Sequence, residues 1–309
     1  MGKSLRLMSS SPLTHTLTIG ETLTQDGVER VFDTDFGYQF RGITYRSPDE
    51  GKYIILLINK GEVYTDEYGT GAQFTYEGEG VPEKGDQQLT TSNRALIQAI
   101  DDPIPVYLFT SEEGVDRYRY QGIVDVEDYR YVNNNDRMVY RFEMQKLGVS
   151  DWGYFLDERG EVETASSGEP SLTEDRARFT ESKRVMRSSI FSRKIKKMYD
   201  FTCAVCGSNC FSPQGRPEVE SAHIYPKYEG GADDLRNGIA LCRFHHWAFD
   251  RGWFALTDGL EVRVNQWANR DPPEQVDVFK GEVVADRKKS GPPPHPLYLT
   301  AHRELHDFD

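Results

Sequence analysis

The chain has 309 residues, of which 37% are apolar, 28% charged and 12% aromatic. That is enough apolar material for real cores, which excludes a wholly disordered chain, and the length suggests two domains. A net charge of −13 argues at first against a nucleic-acid partner. No apolar run reaches the roughly 18 residues that span a bilayer. Residues Met1 to Ser11 lack the apolar core of a signal peptide, so a soluble, cytoplasmic protein is expected.

Residues 13–147 read as mostly strand: short apolar or alternating runs, such as Tyr53 to Ile58 and Tyr118 to Val126, separated by Gly, Asp and Asn clusters. One short helix is expected from Ser92 or Asn93, as its N-cap, to Ile100. Short strands with a single helix suggest a twisted sheet curled towards a barrel. Residues 148–174, acidic and Gly/Ser-containing, read as a linker. Residues 175–309 form the second domain, with a basic helix from about Ser171 or Thr173 to Met198, a cysteine–histidine core at 200–252 and a strand-rich tail. Charge is uneven: residues 1–150 sum to −9 and 151–175 to −7, but 176–253 sum to +6. This basic island coincides with the cysteines.

The four cysteines all lie between Cys203 and Cys242. In a chain with no secreted disulfide framework, such clustering points to metal. Cys203-x2-Cys206 and Cys242-x2-His245 have the ligand spacing of a structural zinc site, the second pair at i, i+3 on a helix expected after Asn237. Cys210 is left over, as a small buried or loop cysteine. His246 follows His245 directly, about 100° further round a helix, so the two histidines serve different sites.

Between the half-sites lie Ala222-His223-Ile224, Gly230-Gly231 and Asn237-Gly238-Ile239; after them comes His245-His246 with Phe249-Asp250-x-Gly252. The ensemble resembles the HNH nuclease family, a ββα-metal fold, from about Arg184 to Gly252. The resemblance implies a general base at His223, a bracing residue at Asn237, and a ligand at His246 for a catalytic divalent ion, Mg2+ or Mn2+. Where many relatives carry an acidic metal ligand before the histidine, this chain has Ala222. Glu220, on the same strand face, or water would take that place. The basic helix Arg184 to Lys197 would hold DNA phosphates.

In the first domain, Tyr64-Thr65-Asp66-Glu67-Tyr68-Gly69 to Phe74-Thr75-Tyr76-Glu77-Gly78 combines aromatics, carboxylates and glycines. This order resembles the signature of the SRA (YDG) domain, with looser similarity over residues 17–147. SRA domains are twisted β-barrels related to the PUA fold that read modified cytosine by flipping it from the duplex, which needs aromatic faces and polar edge contacts. The resemblance makes Tyr64 and Tyr76 the stacking rings and places Asp66, Glu67 and Glu77 at the base. Glu67 and Glu77 depart from the family's Asp and Thr, and Gln121 turns YDG into YQG, so 5-methylcytosine, 5-hydroxymethylcytosine and N6-methyladenine all stay open.

The expected protein is an α+β, two-domain, modification-dependent DNA endonuclease of the restriction type. It would act on double-stranded DNA as a homodimer, since one HNH site cuts one strand. The alternatives are a modified-DNA binding protein with an inert nuclease-like module, and a nuclease whose front domain reads another signal.

Overall fold

The computed structural model describes residues 13–14, 16–37, 42–48, 51–60, 72–112, 116–213, 215–266, 270–284 and 290–308. The chain divides into two compact units, Met1–Leu156 and Asp157–Asp309. In the first, β1 (Thr22–Leu23), α1 (Gln25–Phe32), β2 (Ile43–Arg46), β3 (Tyr53–Lys60) and β4 (Gln73–Glu77) are followed by α2 (Thr91–Asp101). Then come β5 (Val106–Glu112), β6 (Tyr118–Asn134) and β7 (Arg137–Lys146).

The strand order is β2-β3-β5-β6-β7-β4, with β1 beside the start of β6. Strands β3 and β5 are parallel, and α2 lies in the crossover that parallel pairing demands. Strand β6 makes the sheet curl. Tyr118 to Ile123 pair with β5, whereas Val124 onwards pair with β7, so one strand serves both halves. At the change-over Gly122 has φ of 97°, and a Cβ there would lie 2.8 Å from the Val149 carbonyl. Register slips at Leu108/Phe109 and Val126/Asp128 add the bends that bulges impose. The outcome is a half-barrel that closes Ile54, Leu56, Leu108, Val124, Val126, Phe142 and Met144 over Leu96, Ala99 and Ile100 of α2.

Two expectations need correction here. The expected single helix is joined by α1, which buries Val28, Val31 and Phe32 as one stripe. The N-cap of α2 is Thr90, whose hydroxyl accepts from the Asn93 amide at 3.2 Å. Asn93 is fully buried instead, and its side chain bonds Glu79 and Gln88.

The stretch expected to be a linker holds helix α3 (Gly153–Ala165). After it come α4 (Glu181–Met198), the hairpin β8 (Glu220–His223) and β9 (Gly238–Leu241), and α5 (Arg243–Asp250). A second hairpin, β10 (Phe254–Leu256) and β11 (Val262–Val264), leads to α6 (Glu274–Asp277) and α7 (Pro296–Leu305). Helix α4 starts later than expected, at its Thr180 cap. The residues after Asn237 are strand before helix: β9 pairs antiparallel with β8, and all four of its residues are buried. The tail ends in a helix: Pro296 opens α7 and His295 caps it. Among the described residues, no helix is long and apolar enough to cross a membrane.

Candidate functional site

Four side chains of the second unit converge on one point. The Cys203, Cys206 and Cys242 sulfurs and one His245 ring nitrogen all lie within 4.8 Å of one another. Cys242 is the N-cap of α5, so its side chain and that of His245 face the turn carrying Cys203 and Cys206. A tetrahedral zinc, with sulfur at about 2.3 Å and nitrogen at about 2.0 Å, sets ligand edges of about 3.5–3.8 Å. The Cys203–His245 and Cys206–Cys242 separations are 3.8 and 3.9 Å. His245 Nε2 donates to the Gln275 carbonyl at 3.0 Å, which leaves Nδ1 for an ion. The cluster therefore fits structural zinc. Exposed Cys210 stands outside it.

The β8–β9 hairpin carries the other residues. His223 ends β8, its ring stacked on Phe191 of α4 at 4.0 Å and 12°, and Ser221 bonds Ser192 of the same helix. Gly238 lets α4 come this close: a Cβ there would overlap Ile195 and lie 2.9 Å from Phe191. His223 Nε2 lies 2.9 Å from Asp233 Oδ1, and Asp233 Oδ2 is 2.7 Å from Lys227 Nζ. Burial pushes the Asp233 carboxyl up, but the His223 hydrogen bond and the Lys227 charge outweigh it and hold it below the usual range. Asn237 is completely buried. Its Oδ1 accepts from the Tyr225 amide at 2.8 Å, while Nδ2 donates to the Tyr225 and Ala232 carbonyls. These bonds tie together the two ends of the loop that follows His223.

His246 faces away from the zinc cluster. Its Nδ1 is 2.8 Å from Glu220 Oε2 and its Nε2 3.5 Å from Asp250 Oδ2. The hydrogen bond to Glu220 holds the His246 imidazolium above its ordinary pKa and the Glu220 carboxyl below its own. Burial pushes Asp250 up. Cis ligands of an octahedral ion at about 2.1 Å lie about 3 Å apart, so the His246–Glu220 pair fits a hard divalent cation. The sequence reading missed Asp233 and Asp250. Asp250 stands at i+4 from His246, on one helix face, a signal that was present.

Three cations of the basic helix are engaged by carboxylates. Lys183 pairs with Glu158 at 2.5 Å and Lys194 with Glu163 at 2.5 Å. Buried Arg187 lies 3.8 Å from Glu158, 3.9 Å from Glu161 and 3.6 Å from Glu174. The carboxylates of the supposed linker dock α3 onto α4.

In the first unit, Tyr64, Asp66 and Glu67 lie outside the described residues. Tyr76 is buried in the half-barrel core and donates to the Leu57 carbonyl at 3.3 Å. Glu77, expected beside a base, is buried in an ion pair with Arg137 at 2.8 Å and also accepts from Asn134 and Gln87. Its carboxylate is committed to the fold, because a buried carboxylate needs a cation and donors around it.

One unit is thus a curled-sheet module, and the other sets a Cys3His cluster beside a histidine-bearing hairpin and helix. Residues 203–257 match the HNH endonuclease family model, and residues 34–148 match the SAD/SRA domain model. The chain thus carries an HNH endonuclease domain and, ahead of it, an SRA domain. It is similar to the modification-dependent TagI restriction endonuclease, with 21% identity over 89% of this chain and 94% of that one (TM-score 0.46). The SRA domain of SUVH5, solved with fully methylated CG DNA, shares 25% identity over 42% of this chain and 89% of its own (TM-score 0.35). Arabidopsis thaliana SUVH6 in complex with SAM shares 24% over 42% of this chain and 26% of its own (TM-score 0.33). No curated protein matches the chain.

Proposed function

We propose that the chain is a modification-dependent DNA endonuclease: the SRA unit reads a modified base, most simply 5-methyl- or 5-hydroxymethylcytosine by flipping, and the HNH unit hydrolyses a phosphodiester nearby. What carries the reading is one arrangement. The HNH-matched stretch brings His223, Asn237 and His246 onto a single hairpin and helix behind the Cys3His cluster, and an SRA-matched unit precedes it.

The residues divide the work. Zinc in the Cys3His cluster would pin α5 to the cysteine turn and so fix where His246 points. His223, held on Phe191, would take the proton of the attacking water as its oxygen bonds phosphorus and the bond to the 3′ oxygen breaks. Asn237 would keep the loop after His223 in place. His246 and Glu220, with Asp250 beside them, would hold Mg2+ or Mn2+, which supplies positive charge to the phosphate and leaving oxygen. A homodimer would place two such sites for a double-strand break.

Tyr64, Asp66 and Glu67 are the proposed base-reading residues, and Tyr76, expected to share that role, instead packs the core. The test is digestion of one plasmid prepared unmodified, 5-methylated, 5-hydroxymethylated and N6-methylated, with Mg2+ or Mn2+. Cutting of a modified plasmid alone supports the reading. Equal cutting of all four would transfer the front domain to another signal, and no nicking of any would leave a binding protein.

A further inference from the structure

Asp233 is assigned no role by the reading above beyond its contact with His223, yet its surroundings dictate which histidine nitrogen works. Its side chain is 2% exposed. One oxygen meets His223 Nε2 at 2.9 Å and the other meets Lys227 Nζ at 2.7 Å. An ionised carboxylate can only accept. Lys227 donates to Oδ2, and it also donates to Glu174 at 2.6 Å, so the aspartate stays charged and its orientation is fixed from behind. His223 Nε2 must then be the donor.

We propose that Asp233 is a positioning residue that fixes His223 in its Nε2–H tautomer, making Nδ1 the nitrogen that accepts the water proton. The inference rests on the reading of His223 as general base and adds its orientation. In a neutral imidazole one nitrogen donates and the other accepts, and among the described residues no hydrogen bond engages Nδ1. The His223 side chain keeps 16% exposure, while Phe191 covers a face of the ring rather than its edge. Proton transfer balances simply. The water proton moves to Nδ1, the ring becomes an imidazolium, and the buried Asp233 carboxylate stabilises that charge without taking the proton.

The discriminating variant is Asp233→Asn in the full, zinc-loaded chain. Lys227 can only donate, so the amide oxygen turns to it and the amide NH2 faces His223. That forces Nε2 to accept and moves the ring proton to Nδ1, where it blocks the base. Cleavage of the substrate plasmid should fall at least about 100-fold, by analogy with a wrong-tautomer histidine, with zinc content and DNA affinity unchanged. The readout that a merely structural role would not move is the nitrogen spectrum of the 15N-histidine-labelled protein, with His223 assigned by its absence in His223→Gln. Wild type should show Nε2–H and Asp233→Asn should show Nδ1–H. A wild-type ring protonated on Nδ1, or an unchanged tautomer in Asp233→Asn, overturns the proposal. The wild-type spectrum decides the point even if the variant fails to fold. A wild type with the Nε2–H tautomer that cuts no DNA supports the orientation and overturns the nuclease reading instead.

Discussion

Tyr76 separates two roles that the sequence alone cannot separate: a wall of a base pocket, or a beam of the barrel. The ring is 4% exposed and packs in the core of the half-barrel. Its hydroxyl meets the Leu57 carbonyl at 3.3 Å and comes within 2.8 Å of where a Cβ on Gly42 would stand. Tyr76→Ala removes the whole buried ring and should cost about 3–5 kcal/mol. For a unit of this size, where 1 kcal/mol shifts Tm by about 2–4 °C, the first unit should melt roughly 6–20 °C earlier. Tyr76→Phe keeps the ring and loses only the hydrogen bond, at about 1 kcal/mol. The pair of variants is assayed twice, by thermal melting and by competition binding of modified against unmodified duplex. Tyr76→Phe should stay near the wild-type Tm and keep its preference for modified DNA. If Tyr76→Ala melts with the wild type, the packing argument is wrong and the residue is a dispensable pocket wall.

Glu77→Gln should destabilise the first unit by about 3–5 kcal/mol, because it strands Arg137, whose side chain is only 11% exposed; urea denaturation measures the loss. Cys203→Ser should release zinc and unfold the segment around residues 200–250, read by elemental analysis and proteolysis, and full activity without zinc would refute the cluster's role. His302 gives the nuclease unit an acid sensitivity. Its ring is buried 3.8 Å from Phe249 with His306 at 4.7 Å, and burial, reinforced by the charge of His306, pushes its pKa down to about 3. The unfolded chain protonates it near 6.5 and the folded chain does not. Stability is thus complete above about pH 6.5 and falls by about 1.4 kcal/mol per unit below it. Tm measured from pH 7 to 5 should show this slope in wild type and a shallower one in His302→Gln.

Metal ligation was legible because its spacing is local: Cys203 with Cys206 and Cys242 with His245 are each three residues apart. Asn237 was legible only through family resemblance, and its bonds to Tyr225 and Ala232 give the physical reason for it. Asp233 escaped notice because its partner His223 is ten residues away across a loop, and no period connects them. Helix α3 hid behind composition. Its acidic, Gly-containing sequence resembles a linker, and its buried face sets Phe155 and Val162 around the Glu158 carboxylate, which meets Lys183 of α4. Such pairs misled the charge argument. Within the +6 stretch of residues 176–253, Lys183, Arg187, Lys194 and Lys227 are paired with carboxylates of residues 158–174. Glu77 looked like a pocket carboxylate because Arg137, its counter-ion, is 60 residues downstream.

The depth of the Cys3His cluster separates two metals in time. Cys203 is wholly buried and His245 is 3% exposed, with Cys206 the one part-exposed member, so release of a zinc ion held there would require α5 and the cysteine turn to part, on the clock of local unfolding. The Glu220, His246 and Asp250 side chains keep 45%, 25% and 46% exposure, and a hard cation held there would exchange with solvent directly. A chelator would therefore act in two phases: a prompt loss of cutting that added Mg2+ restores, and a slow loss, quickened by heat or mild denaturant, that Mg2+ alone does not.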